Sequence, residues 1–249
     1  MKMLLTSMGI VGIRENGVKV DAYLNPDNGF IDKVKSLTSE YTKFVFIASD
    51  KMDHESNDNS CKINLLAFEK EGITFNTSVV IDSRNSDNLE YELANANVIF
   101  LQGGDVVLQN QFFKEIGLKE VLENLGLIDT ALIIGQSAGS MNMATKYYVY
   151  PEDESQLNYP KFVEGLGYMD YALIPHFNLD TGNNFLFFDI DLMNDYLLPD
   201  SKIMPLYAML DGTYLEVTDK ATYMCGESYL IKDGVITKLC DNNESIILN

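Results

Sequence analysis

Short apolar runs alternate with longer amphipathic segments through the first two thirds of the chain. Five runs are brief, largely apolar and bounded by polar or glycine residues, which predicts buried strands at residues 3–5, 44–48, 79–81, 98–101 and 131–134. The segments between them carry apolar residues at helical spacing, at 30–37, 63–68, 89–94 and 106–125, the last interrupted at Gly117. This alternation predicts an α/β fold with a doubly wound, mostly parallel sheet and helices on both faces.

The pattern changes after residue 144. A tyrosine-rich run at 147–150 predicts a strand or extended segment, residues 151–160 form an acidic loop, and 184–198 has helical spacing. Short runs at 204–210, 214–217, 228–231 and 235–238, with a turn at Asp233-Gly234, predict an antiparallel extension at the C-terminal end. Since no repeat or long linker interrupts the chain, we expect residues 1–249 to form one domain.

Composition narrows the possible functions. Hydrophobic residues make up 46% of the chain and charged residues 22%, which is typical of a soluble globular protein. The net charge of −19 makes nucleic acid and anionic membranes poor partners. Three cysteines without C-x-x-C spacing predict neither a disulfide framework nor a zinc site. With no signal peptide or membrane span in the sequence, we expect a cytoplasmic protein.

The segment Gly135-Gln136-Ser137-Ala138-Gly139 contains the most informative motif. A buried strand runs into G-x-S-x-G and then into a predicted helix, which is the context of a nucleophile elbow. Ser137 is therefore the candidate nucleophile, the alternative being an ordinary strand-to-helix turn.

A serine nucleophile needs a general base, and the chain has only two histidines. His176 follows a short apolar run, so we expect it at the same sheet edge as Ser137. His54 lies in a polar stretch and is interpreted as a solvated histidine of a surface loop. The third partner must be acidic, and candidates between Ser137 and His176 are Glu152, Asp153 and Glu154.

A second glycine feature, Gln102-Gly103-Gly104-Asp105, joins a predicted strand to a predicted helix. Adjacent glycines let the backbone approach a ligand closely and expose N–H donors. We expect the N–H groups of Gly104 and Ala138 to form an oxyanion hole. The alternative, a nucleotide phosphate loop, is disfavoured because neither G-x-G-x-x-G nor the full P-loop pattern is present.

With these motifs, the chain resembles the dipeptidase E and cyanophycinase family of serine peptidases, whose fold is similar to class I glutamine amidotransferases. The resemblance extends to about residue 210 and rests on residues 44–47, 99–105, 135–139 and 175–177, in family order. It implies Ser137 as nucleophile, His176 as base, and Gly104 with Ala138 as oxyanion donors. The family acid, about fifteen residues after the serine, implies Glu152, with Asp153 as the alternative. Gln136 departs from the family, since dipeptidase E has tryptophan there.

A further departure concerns the substrate. The family members that cleave after an N-terminal aspartate use a basic residue, whereas residues 177–198 contain no lysine or arginine. That region holds four aspartates instead: Asp180, Asp189, Asp191 and Asp195. Because a carboxylate is disfavoured in an acidic pocket, we expect a neutral or amine-bearing substrate.

The resulting hypothesis is a serine peptidase or amidohydrolase that cleaves a small peptide through a Ser-His-Glu triad and an acyl-enzyme, without metal or organic cofactor. We expect a monomer or homodimer. One alternative is an α/β-hydrolase esterase, in which the histidine usually follows the serine by far more than the 39 positions that separate His176 from Ser137. Another is a non-catalytic member of the fold that acts as a binding module.

Overall fold

The computed structural model describes residues 1–37, 42–152, 156–179 and 191–248. The strands in this part of the chain are β1 (Lys2–Thr6), β2 (Ile10–Glu15), β3 (Val18–Leu24), β4 (Lys43–Ile47), β5 (Thr77–Ile81), β6 (Val98–Leu101), β7 (Leu132–Gln136), β8 (Lys146–Tyr148), β9 (Phe162–Glu164), β10 (Ala172–Ile174), β11 (Leu206–Met209), β12 (Tyr214–Thr218), β13 (Thr222–Cys225), β14 (Ser228–Lys232), β15 (Val235–Cys240) and β16 (Ser245–Leu248).

The α-helices are α1 (Phe30–Leu37), α2 (His54–Lys70), α3 (Leu89–Leu93), α4 (Val106–Glu115), α5 (Leu118–Asn124), α6 (Leu127–Thr130), α7 (Ala138–Met141) and α8 (Leu198–Asp200). A π-helix, Leu192–Leu197, leads into α8. It falls within the helix predicted at 184–198, whose first residues lie outside the described part of the chain. No helix in the described ranges is long and apolar enough to cross a membrane.

The predicted doubly wound sheet is confirmed. The five strands expected from the apolar runs form its parallel part in the order β1-β7-β6-β4-β5, with every neighbouring pair parallel. Antiparallel β12, β13 and β16 extend the sheet beyond β1 to eight strands. Because parallel strands share one carboxyl edge, the loops that follow β1, β6 and β7 meet at one end of the sheet.

Helices cover both faces of this sheet because alternate strand residues point to opposite sides. Odd-numbered residues of β1, such as Met3 and Leu5, belong to a core cluster that includes residues of α3 to α7. The even-numbered Leu4 belongs to a second cluster with Phe30 of α1 and Phe68 of α2. Both faces are thus buried, which explains why these strands read as continuous apolar runs.

The C-terminal strands differ from the predicted antiparallel extension, because they are divided between two sheets. The run at 204–210 contains β11 and the run at 228–231 lies in β14, and both strands belong to a separate four-stranded sheet of order β10-β11-β14-β15. In this second sheet β10 and β11 are parallel, whereas β14 and β15 are antiparallel. Its own core cluster contains Tyr148, Leu206 and Ile231. The second sheet therefore contributes another pair of parallel strand ends to the molecule.

Candidate active site

Five residues that follow parallel strands come together at one place. Ser7 follows β1, Gly104 follows β6 and Ser137 follows β7 in the main sheet. His176 follows β10 by two residues and Asp211 follows β11 by two residues in the second sheet. Hydrogen bonds join residues of the two sheets, so the site lies where the carboxyl edges of the sheets meet.

Ser137 occupies a sharp turn between β7 and α7. Its backbone has φ 51° and ψ −115°, a conformation that non-glycine residues rarely adopt and that stores strain. The turn requires glycine on both sides. A Cβ on Gly135 would lie 2.9 Å from the Cα of Ser140, and a Cβ on Gly139 would lie 2.3 Å from the carbonyl oxygen of Leu101. The G-x-S-x-G spacing therefore follows from steric demands at this turn.

His176 contacts Ser137 directly, but it follows β10 of the second sheet and not, as expected, a strand at the same sheet edge. Its Nε2 lies 3.0 Å from the Oγ of Ser137, a hydrogen-bonding distance. The backbone at His176 also has positive φ, 57°, and its N–H donates to the Oγ of Ser7 at 2.8 Å. The ring is thus directed to Ser137 by its main chain as well as by its side-chain contacts.

Asp211, not Glu152, is the carboxylate that contacts the imidazole. Its Oδ1 lies 2.6 Å from Nδ1 of His176, so both ring nitrogens have partners: Asp211 on one side and Ser137 on the other. The physical reason is the pairing of parallel β10 with β11, which brings the residues after both strands together. Glu152 is exposed in the loop after β8, and its N–H donates to Oε1 of Gln156 at 2.8 Å.

The expectation that Glu152 orients the ring is therefore corrected. The alternative acids, Asp153 and Glu154, lie outside the described residues. The sequence did contain a signal for Asp211, because it directly follows the predicted strand at 204–210, much as His176 follows a shorter apolar run. The family pattern places the acid between Ser137 and His176, whereas Asp211 lies after His176 in the sequence.

The carboxyl group of Asp211 is stabilised in its ionised form. Partial burial raises its pKa, but hydrogen bonding and charge interaction with His176, together with a hydrogen bond from Ser7, outweigh burial. The pKa of Asp211 is therefore below the usual aspartate value. The Ser7 hydroxyl, which is fully buried, donates to Oδ1 of Asp211 at 2.9 Å. Asp211 is consequently an anion at neutral pH and can stabilise a positive charge on His176.

Ser137 and His176 open into a cleft of about 470 Å³, part of it exposed to solvent. Gly104 and Ala138, the expected oxyanion donors, line this cleft, and so does Glu152. All five predicted site residues are therefore close together, although Glu152 contributes to the wall and not to the contact with the ring.

Asp105 connects the glycine loop to the wall of the cleft. Its Oδ1 accepts from the N–H groups of Val107 and Leu108, both at 2.9 Å, and so caps α4. Its Oδ2 accepts from Nε2 of Gln156 at 3.0 Å, and Gln156 in turn accepts from the N–H of Glu152. The side of the cleft that carries Glu152 is thereby fixed relative to Gly104.

Gly104 offers a test of this arrangement. In Gly104→Ala the new Cβ would lie 2.2 Å from Oγ of Ser49, and the residue would keep a φ of 153°. We expect a loss of about 1–3 kcal/mol in the free energy of unfolding and a fall of about 10²-fold in kcat through displacement of the loop. Urea unfolding and steady-state kinetics measure the two effects. Adding Ser49→Gly should recover part of both losses, and no recovery would contradict the steric explanation.

Two other candidate groups lie elsewhere. His54 is not in a loop: it begins α2, whose first turn is capped by Asp53, and its Nε2 lies 2.7 Å from Oγ of Ser83. The three cysteines are buried and unpaired, and burial raises the pKa of Cys61 to about 12. Within the described ranges, no group of three His, Cys, Asp or Glu side chains is arranged to hold a metal ion.

The aspartates predicted to make the region after His176 acidic are only partly described. Asp180 and Asp189 lie outside the described residues. Asp191 caps the π-helix, its Oδ1 accepting from the N–H of Asn194 at 3.0 Å, and its own N–H donates to Oδ2 of Asp195 at 2.8 Å. Neither of these two side chains lines the cleft, whose acidic character comes from Asp105 and Glu152.

Comparison with known proteins supports the expected fold. The structure is similar to that of a peptidase from an acI-B1 Actinobacterium, with a TM-score of 0.66 and 19% identity, over 99% of this chain and 96% of that chain. It is also similar to a putative peptidase E protein from Listeria monocytogenes EGD-e, with a TM-score of 0.54 and 14% identity, over 96% and 98% of the two chains. At these identities the likeness establishes the fold alone.

No curated protein matches the sequence. A family does match: residues 20–224 fit peptidase family S51, a span that includes Ser137, His176 and Asp211. The resemblance inferred from the motifs is thereby confirmed. The chain belongs to peptidase family S51, the dipeptidase E family of serine-type peptidases.

Proposed function

We propose that this peptidase hydrolyses short peptides through a Ser137–His176–Asp211 triad and an acyl-enzyme. The observation that supports the proposal best is the unbroken chain of contacts from Oγ of Ser137 to Nε2 of His176 at 3.0 Å and from Nδ1 to Asp211 at 2.6 Å. A nucleophile, a base and a group that orients the base are thus within hydrogen-bonding reach of one another.

In the first half of the reaction, Oγ of Ser137 attacks the carbonyl carbon of the scissile peptide bond. Nε2 of His176 accepts the hydroxyl proton, and the Asp211 carboxylate stabilises the imidazolium through Nδ1–H. The strained turn at Ser137 acts as a nucleophile elbow, which holds the hydroxyl clear of the sheet. The N–H groups of Gly104 and Ala138 stabilise the oxyanion of the tetrahedral intermediate.

The intermediate then collapses. His176 returns the proton to the leaving amine, the C–N bond breaks, and the acyl group remains esterified to Ser137. Water attacks this ester with His176 again acting as base, and the second tetrahedral intermediate releases the carboxylic acid and the Ser137 hydroxyl. Each step uses the same base and the same oxyanion donors, so no metal or organic cofactor is needed.

The charge of the cleft supports a preference among peptides. Its described lining includes two carboxylates, Asp105 and Glu152, and neither lysine nor arginine. A protonated α-amino group is attracted to such a wall, whereas an acidic side chain is repelled by it. The proposed substrates are therefore short peptides with a free amino terminus, bound with that terminus towards Glu152.

The proposal is tested with a panel of dipeptides and their N-acetyl derivatives. We expect kcat/KM for a free dipeptide to exceed that of its acetylated form at least tenfold, because acetylation removes the charge that the carboxylates attract. Glu152→Gln should reduce this ratio, and mainly by raising KM for the free dipeptide. Equal hydrolysis of both forms by the wild-type enzyme would contradict the substrate assignment.

The acyl-enzyme has its own kinetic signature. With an activated amino-acid ester as substrate, stopped-flow measurements should show a burst of alcohol release equal to the enzyme concentration, followed by a slower steady state. A strictly linear time course, with deacylation independently shown to be slow, would contradict a covalent intermediate.

The alternative of a non-catalytic binding module is less consistent with the geometry. Its expected feature is a wide separation of Ser137 and His176, whereas their reacting atoms lie 3.0 Å apart. An esterase of the α/β-hydrolase type is disfavoured by chain order, since His176 follows Ser137 by only 39 residues.

A further inference from the structure

The chain at the end of β1 contacts all three members of the proposed triad. The carbonyl oxygen of Thr6, the last residue of β1, accepts from the N–H of Ser137 at 2.9 Å. The next residue is Ser7, whose Oγ accepts from the N–H of His176 at 2.8 Å and donates to Oδ1 of Asp211 at 2.9 Å. Two consecutive residues of the main sheet's first strand and its loop therefore connect the nucleophile with the two residues that follow strands of the second sheet.

The contact between His176 and Asp211 is accessible to water. The side chain of His176 is 43% exposed and that of Asp211 is 48% exposed. Side-chain pairs with this exposure gain little free energy from their own contact, because water competes for both partners. We therefore expect the 2.6 Å separation of Nδ1 and Oδ1 to depend on groups that fix both residues to the rest of the protein.

Ser7 is such a group, because it is fully buried and all its polar hydrogens have acceptors. Its main-chain N–H donates to the carbonyl oxygen of Thr213 at 3.0 Å. The direction of the two hydroxyl contacts is fixed as well. The N–H of His176 can only donate to Oγ, and the Asp211 carboxylate can only accept, so the single hydroxyl proton of Ser7 lies towards Asp211.

The main chain of His176 also needs an anchor. Its φ of 57° is rare for a residue other than glycine, and such a conformation persists only where surrounding contacts hold it. Two hydrogen bonds do so. The N–H of the following Phe177 donates to the carbonyl oxygen of Met209 in β11 at 3.0 Å, which stays within the second sheet. The bond to Ser7 is the one that joins this strained residue to the loop of the main sheet.

The turn that carries Asp211 is tied to Ser7 independently of the hydroxyl. The N–H of Thr213 donates to the carbonyl oxygen of Leu210 at 3.0 Å and so closes the turn around Asp211. The carbonyl oxygen of Thr213 accepts from the main-chain N–H of Ser7. Replacing Ser7 by alanine keeps this main-chain bond, so the substitution removes only the two contacts of the hydroxyl.

We propose that Ser7 is a positioning residue of the triad, whose hydroxyl holds the His176 main chain and the Asp211 carboxylate in the arrangement that directs Nε2 to Ser137. The inference rests on the proposed peptidase function. Because Ser7 is fully buried, it acts through His176 and Asp211 and not on the substrate.

The test compares Ser7→Ala with Ser140→Ala on a dipeptide that wild type cleaves. Ser140 is the matched control, since it is also fully buried and its hydroxyl donates to the carbonyl oxygen of Thr6 at 2.9 Å. Each variant loses one oxygen atom and should remain folded, which thermal unfolding checks. We expect Ser7→Ala to lower kcat about 10²-fold, the cost of misplacing a catalytic group by about 1 Å.

The division between kcat and KM distinguishes positioning from a general loss of structure. KM of Ser7→Ala should stay within about threefold of wild type, and so should both constants of Ser140→Ala. Equal losses of kcat in the two variants would reject a specific role for Ser7. A change confined to KM would reject it as well.

A double-mutant cycle tests whether Ser7 acts through the pair. In an Asp211→Asn background, Ser7→Ala should lower kcat by a factor at least tenfold smaller than in wild type, because the carboxylate contact is already lost. The same factor in both backgrounds would show that Ser7 acts independently of Asp211 and would contradict the inference.

A spectroscopic readout separates failure of this inference from failure of the catalytic proposal. The chain has only two histidines, so ¹⁵N NMR resolves the ring nitrogens of His176, with His54→Gln for assignment. In the neutral ring we expect the proton on Nδ1 in wild type and Ser140→Ala, and a mixture of tautomers in Ser7→Ala. This change supports the inference even if Ser137 is not the nucleophile. Unchanged signals in Ser7→Ala overturn it even if hydrolysis by the triad is demonstrated.

Discussion

Replacing Asp211 by asparagine is expected to lower kcat by about 10⁴-fold, the effect typical of a triad whose carboxylate is neutralised. The amide N–H₂ of asparagine can donate to Nδ1 and so favour the tautomer with the proton on Nε2, and the side chain carries no charge. It therefore neither fixes the Nδ1–H tautomer of His176 nor stabilises the imidazolium. Steady-state kinetics on a dipeptide that wild type cleaves measures the loss.

Glu152→Gln is the matched control, since it makes the same chemical change on the acid expected from the family pattern. Because Glu152 lines the cleft without contacting the ring nitrogens, its change should act mainly on KM and leave kcat within about tenfold of wild type. A large fall in kcat for Glu152→Gln, with little effect of Asp211→Asn, would reverse the assignment of the acid.

The pH dependence of this effect follows from the pKa of Asp211. That pKa lies below the ordinary aspartate value, so the group is ionised across the neutral range. Its contribution to catalysis and to folding is thus fully present above the pKa of an unfolded aspartate and lost only as the pH falls through the lower folded value. We therefore expect wild type to be more active than Asp211→Asn at every pH between about 6 and 8, which pH–rate profiles of the two enzymes measure.

Replacing Ser137 by alanine is expected to lower kcat by about 10⁴- to 10⁶-fold, because the covalent route is lost and only binding and oxyanion stabilisation remain. The fold should persist, since Oγ of Ser137 contacts His176 at the surface of the cleft. Binding of an uncleaved dipeptide should change little. Single-turnover kinetics and calorimetry measure the two quantities.

Ser140→Ala is the control from the same segment. The Ser140 hydroxyl is buried and donates to the carbonyl oxygen of Thr6 at 2.9 Å, so its loss should cost about 1 kcal/mol of stability. It should not remove the covalent route. Activity retained by Ser137→Ala at more than about 1% of wild type would show that another group is the nucleophile.

The features that sequence predicted are those carried by local patterns. Buried strands such as β6 and β7 are short apolar runs, and the glycines around Ser137 meet steric demands within a few residues. The prediction that Ser137 and His176 come together placed both at one sheet edge, whereas the strands that they follow belong to two sheets whose carboxyl edges meet. Both residues line one cleft in the structure.

The β2–β3 hairpin was not predicted, although its turn is the dipeptide Asn16-Gly17, whose positive φ values of 50° and 83° suit a two-residue hairpin. Its flanking residues are mixed in polarity because the hairpin buries little. Only Ile10 and two residues of β3, Ala22 and Leu24, are buried. Because its apolar pattern is weak, the sequence did not predict this hairpin, which lines an open cleft together with Ser137.

The acid was missed for a different reason. Contact between His176 and Asp211 depends on the pairing of β10 with β11. These two strands are separated in the chain, and the hydrophobic pattern does not indicate that they pair. The residues of a single strand do not determine which other strand it pairs with. The same non-local dependence applies to Arg14 and Lys19, which line an open cleft together with Ser137 although they lie far from it in the sequence.

The central claim, that Ser137 is a nucleophile activated by His176 and Asp211, is tested most directly by active-site labelling. Wild type is treated with a fluorophosphonate, and the modified peptide and the labelling rate are determined by mass spectrometry. We predict a single adduct on Ser137, formed at least 10²-fold more slowly in His176→Ala and Asp211→Asn, and at nearly the wild-type rate in Glu152→Gln. An adduct on another residue, or labelling of Ser137 that is unaffected by loss of His176, would contradict the account.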